Sequence, residues 1–325
     1  MSAAGPSELS DVPELRNLAL SRSEVDRATV RRGDDEWLAA AWADPRTRVL
    51  VVHDSYALVR VDGNQPELVF VSPGEAPGGT RFLLGVDEGD VVYFGVSGAG
   101  GDGTLRSDEK NVKPMSLRQV GAVLSDRDAG LLTHAVALAN WHDTHTHCPR
   151  CGTPTVPAPA GHLTTCPADG TEHFPRLDPA VIMLVTDPDD RCLLGRNALW
   201  PKGRMSVLAG FVEPGESAEH AVAREVFEET AITVGQIRYL GSQPWPMPRS
   251  LMLGFQAVAA AGQRIATDDD EIAEARWFSR AELRASIDAG ELGVAPTSSI
   301  ARRLIEFWYG GDLPDGPAAW GRPGR

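Results

Sequence analysis

Short apolar runs separated by Gly, Pro, Asp and Asn fill the first third of the chain. Runs of this length between turn-forming residues are typical of strands in an antiparallel sheet. The predicted strands are residues 49–52, 56–61, 67–71, 81–84 and 91–96. A Gly-rich stretch, 97–104, follows them and lacks the Lys-Ser/Thr ending of a phosphate-binding loop, so we interpret it as a linker.

Residues 116–140 have apolar side chains at helical spacing and predict two helices that are interrupted at Ser125-Asp126. Nothing before residue 140 forms a catalytic constellation. We therefore expect this part to be structural or to mediate dimerisation, in preference to holding a second active site.

The second half of the chain alternates strands with helices. A short, continuously apolar run, 180–185, predicts a buried central strand, and 192–196 is expected to pair with it. Further strands are expected at 237–240 and 251–259, and helices at 282–289 and 300–309. Such alternation indicates an α/β sandwich. The predicted domains are an N-terminal mainly β domain with helices (1–140), a Cys-containing segment (141–176), an α/β domain (177–310) and a flexible tail (311–325).

Composition narrows the class of protein. The 325 residues include 31 Lys plus Arg and 45 Asp plus Glu, a net charge of −14, which disfavours sequence-blind binding of polynucleotides. The chain has neither a signal-peptide pattern nor an apolar run long enough for a membrane span, so we expect a cytoplasmic protein with no membrane partner. In that compartment its four Cys are expected to be thiols or metal ligands.

Three carboxylates lie on one face of a predicted helix. A helix turns about 100° per residue, so Glu225, Glu228 and Glu229 fall within roughly 100° of arc. Clustered carboxylates suit hard divalent cations such as Mg²⁺ or Mn²⁺. The alternative is a solvated acidic face. Against it, the same arc carries Ala221 and Val222 towards the helix N-terminus, which points this face at protein.

These glutamates belong to a longer pattern that resembles the Nudix box, Gly-x5-Glu-x7-Arg-Glu-U-x-Glu-Glu-x-Gly-U, where U is a bulky aliphatic residue. The matching residues are Gly210, Glu216, Arg224, Glu225, Val226, Glu228, Glu229 and Ile232. Ala231 stands where the family has Gly. That Gly serves a turn with positive φ, so we expect Ala231 to be strained by about 1 kcal/mol and no ligand to be lost.

A second motif is the stretch SQPWPMPRS at 242–250. Its prolines predict a stiff loop that cannot continue a sheet. By composition it is either a rigid turn or a wall on which a flat ring stacks, with Gln243 and Ser250 as polar handles. It resembles the Ser-Gln-Pro-Trp-Pro-Phe-Pro-x-Ser array of NADH pyrophosphatases among Nudix enzymes, with Met247 in place of Phe. By this resemblance, the substrate-binding residues are Phe174, Gln243, Pro244, Trp245, Pro246, Met247, Pro248, Arg249, Ser250 and Ala301.

A Cys-x2-Cys turn, Cys148 and Cys151, predicts half of a zinc ribbon, and Cys166 begins the other half. No fourth Cys follows at the expected spacing, so Asp169 or His173 would complete the site. His145 and His147 are nearby but less natural in spacing. The alternative is a ribbon that has lost its metal and survives by packing.

The resemblance also implies roles in the hydrolase site. Glu225, Glu228 and Glu229 would hold two or more Mg²⁺ or Mn²⁺ ions, one of them would act as general base, and Arg224 would orient their carboxylates. Further metal ligands would be the backbone carbonyl of Ala209 and a remote carboxylate, Glu271, for which Glu274 is the competitor.

The implied reaction is hydrolysis of NAD(H) to AMP and nicotinamide mononucleotide, with removal of NAD caps from RNA 5′ ends as the same cleavage in a longer substrate. The family resemblance further implies a homodimer. Three alternatives are a Nudix enzyme for another substrate such as ADP-ribose, a non-catalytic nucleotide-binding regulator, and a zinc-ribbon nucleic-acid module. The SQPWPMPRS array argues against the first, the intact glutamates against the second, and the acidic charge against the third.

Overall fold

The computed structural model describes residues 14–63, 65–98, 105–267 and 270–314. Most of the expected linker (97–104) and most of the expected tail (311–325) lie outside these residues, namely 99–104 and 315–325. Contacts divide the chain into two units of several segments each. The amino-terminal unit comprises Ala19–Pro179 and Gln243–Leu251, and the carboxy-terminal unit comprises Met1–Leu18, Ala180–Ser242 and Met252–Arg325. No helix in the described ranges is long and apolar enough to cross a membrane.

The amino-terminal unit is built on a six-stranded sheet in the order β3-β2-β1-β5-β4, with β6 beside β2. In chain order its elements are α1 (Asp35–Ala43), β1 (Arg48–His53), β2 (Tyr56–Arg60), β3 (Glu67–Leu68), β4 (Thr80–Val86), β5 (Val92–Ser97), β6 (Val112–Ser116), α2 (Leu117–Val120), α3 (Asp126–Thr144), β7 (Val156–Pro157), β8 (Thr164–Thr165) and β9 (Glu172–His173). The last three form a separate small sheet in the order β7-β8-β9.

This sheet is antiparallel, as predicted, except at its centre. β1 and β5 run parallel, with Leu50 opposite Gly95. A parallel pair needs a long connection, and the chain between these strands supplies it by forming β2, β3 and β4 first. The predicted helix break at Ser125 is present, and the Ser125 side chain caps α3 by accepting a hydrogen bond from the Asp128 N–H.

A loop of the ribbon segment is bonded to β4 and α3. The Leu83 N–H donates to the carbonyl of Ala160 at 3.0 Å, and the His162 Nε2–H donates to the carbonyl of Leu83 at 2.7 Å. Gly161 lies between them with φ +70°, and a Cβ there would fall 2.5 Å from the Arg81 carbonyl oxygen. Only glycine fits this approach, so the loop is held tightly against the strand.

The carboxy-terminal unit is built on a sheet in the order β13-β14-β10-β11-β15, with β12 beside β10. Its elements are β10 (Asp178–Thr186), β11 (Cys192–Asn197), β12 (Leu208–Phe211), α4 (Ala218–Thr230), β13 (Val234–Trp245), β14 (Ser250–Ala259), β15 (Ile272–Phe278), α5 (Arg280–Asp288) and α6 (Ile300–Tyr309). The predicted central strand and its pairing with β11 are both found.

Alternate residues of β10 serve opposite faces of this sheet. Val181 and Met183 belong to a core cluster with residues of α4. Ile182 and Leu184 belong to another cluster with residues of α5 and α6. Because side chains alternate along a strand, the wholly apolar run of β10 is buried between helices on both faces. The helices on the two faces of this strand form the outer layers of the predicted α/β sandwich.

One prediction about this sheet was wrong. The prolines of the second motif were expected to keep it out of a sheet, yet β13 continues through Pro244 to Trp245. β13 is the first strand in the sheet order. An edge strand needs hydrogen bonds on one side only, so the missing N–H of a proline is tolerated there.

Candidate active site and zinc ribbon

Helix α4 carries the glutamate cluster and has a defined start and end. At its start, the Ser217 hydroxyl accepts a hydrogen bond from the His220 N–H. At its end, Ala231 adopts the left-handed conformation, φ 57° and ψ 18°, and its N–H donates to the Phe227 carbonyl. The strain expected from Ala in place of Gly is therefore present in the backbone.

The Arg224 guanidinium donates hydrogen bonds to three carboxylates. Its guanidinium makes a two-pronged ion pair with Glu216, with distances of 2.9 Å and 2.8 Å. The Nη1 atom also donates to Glu225 and to Glu228, each at 2.9 Å, and Nη2 donates to the Phe211 carbonyl. The planar guanidinium fits such a fork of acceptors, and it fixes two of the three clustered glutamates.

The three glutamates of the cluster differ in their exposure to solvent. The Glu228 side chain is 55% exposed and that of Glu225 15% exposed, while Glu229 is buried. Burial raises the pKa of Glu225, against the lowering effect of Arg224, and the negative charges of Glu228 and Glu271 raise it further. The hydrogen bonds from Arg224 also lower the pKa of Glu216, to about 2, because burial opposes this lowering less at Glu216 than at Glu225. A cation among these carboxylates would stabilise their ionised forms.

Gly210, the first residue of the box, is required by sterics. A Cβ at this position would lie 1.9 Å from the Glu225 carboxyl carbon. The carboxyl thus rests directly on the backbone of β12, where Ala209, the predicted carbonyl ligand, is opposite Ile182 of β10. The strand that carries one predicted ligand is therefore in contact with the helix that carries the others.

The structure separates the two candidates for the remote carboxylate. Glu271 precedes β15, and its charge acts on Glu225. Glu274, by contrast, faces Arg196, with which it forms an ion pair at 3.6 Å. Glu271 is therefore the better candidate, and its binding to metal stays a prediction.

The ribbon segment contains two turns of nearly the same geometry. In the first, the Gly152 N–H donates to the Cys148 carbonyl at 2.8 Å, and in the second the Gly170 N–H donates to the Cys166 carbonyl at 2.9 Å. Both glycines have φ +73°. The repeated geometry predicts that each turn presents its ligands to a shared ion.

Four side chains from these turns converge. One ligand atom from each lies within 4.8 Å of the others, and the residues are Cys148, Cys151, Cys166 and Asp169. The backbone N–H of Thr171 holds the pKa of Asp169 down to about 2, so its carboxylate is ionised. Three sulfurs and one carboxylate oxygen form a donor set that fits Zn²⁺. Of the described residues that could complete the site, Asp169 is in this group, and His173, His145 and His147 are not.

The histidines left out of this group border a cleft of about 730 Å³ within the amino-terminal unit. Phe174 and Arg249, both predicted to bind substrate, line the same cleft. The Phe174 side chain is exposed, and the Arg249 Nε donates to Asp178 at 2.7 Å. An aromatic face and a cation in one cleft are suited to a flat ring that carries a phosphate.

Other residues of the second motif are placed in the interior. Gln243 is fully buried, and its side-chain oxygen accepts from the Leu20 N–H at 3.4 Å. Trp245 and Met247 pack against the core of the amino-terminal unit. These three side chains anchor the β13–β14 hairpin. The buried position of Gln243 does not agree with its predicted role as a polar group that contacts the substrate. Its neighbours Pro246 and Pro248 hold Asn140 of α3 through their carbonyls.

Ala301 is also interior. It lies in the first turn of α6 and is buried, and its N–H donates to the Ser299 hydroxyl at 3.2 Å. That N–H already has a partner, so the structure gives no sign of the predicted backbone contact with a nucleotide.

Comparison with known families decides what this arrangement is. Three family models match consecutive segments: the NADH pyrophosphatase-like rudimentary NUDIX domain over residues 37–141, the NADH pyrophosphatase zinc ribbon domain over 143–174 and the NUDIX domain over 176–297. The chain is also 42% identical over 311 residues to the NAD-capped RNA hydrolase NudC of Mycobacterium tuberculosis, covering 91% of this chain and 96% of that protein. The chain belongs to the Nudix hydrolase family.

Similar relatives occur outside the mycobacteria. The NAD-capped RNA hydrolase NUDT12 of Macaca fascicularis is 33% identical over 348 residues, which cover 92% of this chain and 74% of that protein. The NudC of Mycobacterium bovis matches with the same identity and coverage as that of M. tuberculosis. The predicted recognition and the fold class, a Nudix sandwich preceded by a zinc ribbon, are confirmed.

Two contacts of the candidate site were not predicted from the sequence. Glu216 was recognised as part of the box but not as the main partner of Arg224, and Asp178 was not recognised as the partner of Arg249. The first had a signal, because Glu216 belongs to the box eight residues before Arg224. The second had none, since 71 residues separate its partners.

Proposed function

We propose that this Nudix hydrolase cleaves the pyrophosphate of NAD(H) to AMP and nicotinamide mononucleotide and removes NAD caps from RNA 5′ ends. The observation that carries the proposal is the intact glutamate cluster, held by Arg224, in a chain whose relatives over most of its length are NAD-capped RNA hydrolases. A protein that only bound nucleotides would have no need of this cluster.

The metal ligands proposed for Mg²⁺ or Mn²⁺ are Glu225, Glu228, Glu229, Glu271 and the Ala209 carbonyl. Two or more such ions, when bound, would neutralise the pyrophosphate oxygens and lower the pKa of the attacking water. The chain's own contribution is positional. Arg224 keeps the carboxylates in place, and a glutamate of the cluster accepts the proton of the water.

The ribbon is proposed to hold a structural Zn²⁺ through Cys148, Cys151, Cys166 and Asp169. With four protein ligands the site is closed, which is typical of a structural zinc rather than a catalytic one. The substrate's ring is proposed to stack on Phe174 while Arg249 contacts a phosphate, and the protein is proposed to act in the cytoplasm as a homodimer.

The experiment is product analysis after incubation of NADH with Mg²⁺ or Mn²⁺. The native protein should release AMP and reduced nicotinamide mononucleotide, and Glu228→Gln should reduce kcat by about 10²-fold or more because a metal ligand is lost. Glu219→Gln is the matched control, since Glu219 is exposed in the first turn of the same helix. The proposal is wrong if folded native protein with metal leaves NADH intact, or if the two variants lose activity equally.

A further inference from the structure

A basic segment directly precedes the Nudix box. Residues 191–209 contain four cations and no Asp or Glu, in a chain with a net charge of −14. The cations are Arg191, Arg196, Lys202 and Arg204. Arg191 pairs with Asp187, and Arg196 is shared with a glutamate of β15. The other two cations, Lys202 and Arg204, lie in the β11–β12 loop, residues 198–207.

The β11–β12 loop is fixed beside the glutamate cluster. At its start, the Ala198 N–H donates to the backbone carbonyl of Glu271 at 2.9 Å. At its far end, the Gly293 N–H donates to the Gly203 carbonyl at 2.7 Å, and the Met205 N–H donates to the Gly293 carbonyl at 3.1 Å. The loop is therefore a rigid surface that begins at the backbone of a proposed metal ligand.

The side chains of this loop form a mixed cationic and apolar surface. Leu199 is 92% exposed, and the Arg204 guanidinium lies 4.7 Å from the centroid of the Trp200 ring. Lys202 is exposed, and within the described residues no carboxylate lies within 4.0 Å of its ammonium group. An exposed leucine and an unneutralised lysine have no evident role in folding.

We propose that the β11–β12 loop binds the RNA chain that follows the cap, with Lys202 at a phosphate and Leu199 against a base. The proposal rests on the cap removal proposed above. The two phosphates of NAD(H) would be held at the metal site, so a further cation beside that site serves a substrate with more phosphates. A positively charged surface along the backbone, next to aromatic side chains on which bases stack, is the usual means of holding single-stranded nucleic acid, and here the exposed Leu199 would supply an apolar contact in place of a ring.

The test compares two substrates, NADH and a short single-stranded RNA with an NAD cap. Lys202→Gln should lower kcat/KM for the capped RNA about fivefold and make its dependence on salt shallower by about 0.7 in log–log slope, as expected for one phosphate contact. Leu199→Ser should lower it about threefold, because one base contact weakens. Neither variant should change kcat/KM for NADH. The matched controls are Lys110→Gln and Val30→Ser, both at exposed positions, and they should change neither substrate.

Two results would overturn the proposal: no loss with either substrate, or equal losses with both, which would place the loop in the dinucleotide site. A binding measurement separates this proposal from the proposed function. Fluorescence anisotropy with 5′-monophosphorylated RNA needs no turnover, so it tests the loop even if native protein cleaves neither substrate. Lys202→Gln should weaken that binding about fivefold with a shallower salt dependence, and unchanged binding would refute the role of the loop.

Discussion

Two helices, one in each unit, use their polar groups in opposite ways. In α3, 13 of 19 residues are buried, among them Asp128, His134 and His142. Each of these polar groups is bonded to the backbone of another segment: Asp128 accepts from the Leu68 N–H, His134 contacts the Leu84 carbonyl and His142 contacts the Gly161 carbonyl. In α4, five of 13 residues are buried.

The polar groups of α4 are arranged differently. Two of its clustered glutamates, Glu225 and Glu228, share one arginine, and Glu228 faces solvent. Polar groups that each have a backbone partner hold a fold together, whereas carboxylates grouped around one cation are available to other cations. The comparison teaches that the partner of a polar group, more than its type, separates a structural helix from a candidate catalytic one.

The largest effect should come from removing the shared arginine. Arg224→Lys keeps the charge but loses the fork of donors, so the glutamates should no longer be held together. We expect kcat/KM for NADH to fall about 10²-fold, and a higher metal concentration to be needed for half-maximal activity.

Steady-state kinetics with a metal titration would measure this, with circular dichroism as a check on folding. Arg284→Lys is the control, because Arg284 makes an exposed pair with Asp288 on α5. Equal activity of Arg224→Lys and the native protein would show that the guanidinium does not organise the site.

A smaller effect, on the free energy of unfolding, is expected at acidic pH, because the histidines in and around α3 are buried. Burial lowers the pKa of His162 to about 4 and that of His134 well below its usual value. A histidine whose pKa is lower when folded takes up protons on unfolding, so its contribution to stability is complete above about pH 6.5 and is lost as the pH falls towards 4. From His162 this loss amounts to about 2–3 kcal/mol.

Denaturant unfolding between pH 7.5 and 5 should therefore show a steeper loss of stability for the native protein than for His162→Gln, which cannot titrate. Comparing the two proteins at each pH cancels any contribution from the zinc ribbon, which both retain. Parallel pH dependences would mean that His162 titrates normally in the folded state.

The smallest effect concerns the end of α4. Ala231→Gly should raise the free energy of unfolding by about 0.5–1 kcal/mol, because glycine adopts φ 57° without strain. Ala289→Gly at the end of α5 is the counterpart, since Ala289 has φ −74° and glycine there should only add flexibility to the unfolded chain. If both changes have the same sign, strain at Ala231 is not the cause.

Local pattern predicted much of this molecule. The run at 180–185, the Nudix box and the helix at 300–309 were all read correctly, since each depends on periodicity or on a long motif. Helix α1 was not predicted. Its N-cap is Asp34, whose side chain accepts a hydrogen bond from the Trp37 N–H, but an Asp is equally common in turns and loops.

The remaining errors concern partners distant in sequence. No local pattern specifies that β1 pairs in parallel with β5, or that Pro244 lies in an edge strand. The choice between Asp169 and His173 likewise needed the two turns of the ribbon to be placed together. Contacts of this kind depend on the whole chain, so local pattern specifies the helix that carries the glutamate cluster but not the partners of the residues around it.

The ion pair between Arg224 and Glu216 has a thermodynamic consequence for metal loading. Fixing a glutamate side chain costs about 1–2 kcal/mol of conformational entropy. Because Arg224 already restrains Glu216, Glu225 and Glu228, most of that entropy is lost when the chain folds rather than when ions arrive. Ion binding should consequently lose less conformational entropy than it would in a flexible acidic loop, with little change in side-chain mobility between the free and the ion-bound protein.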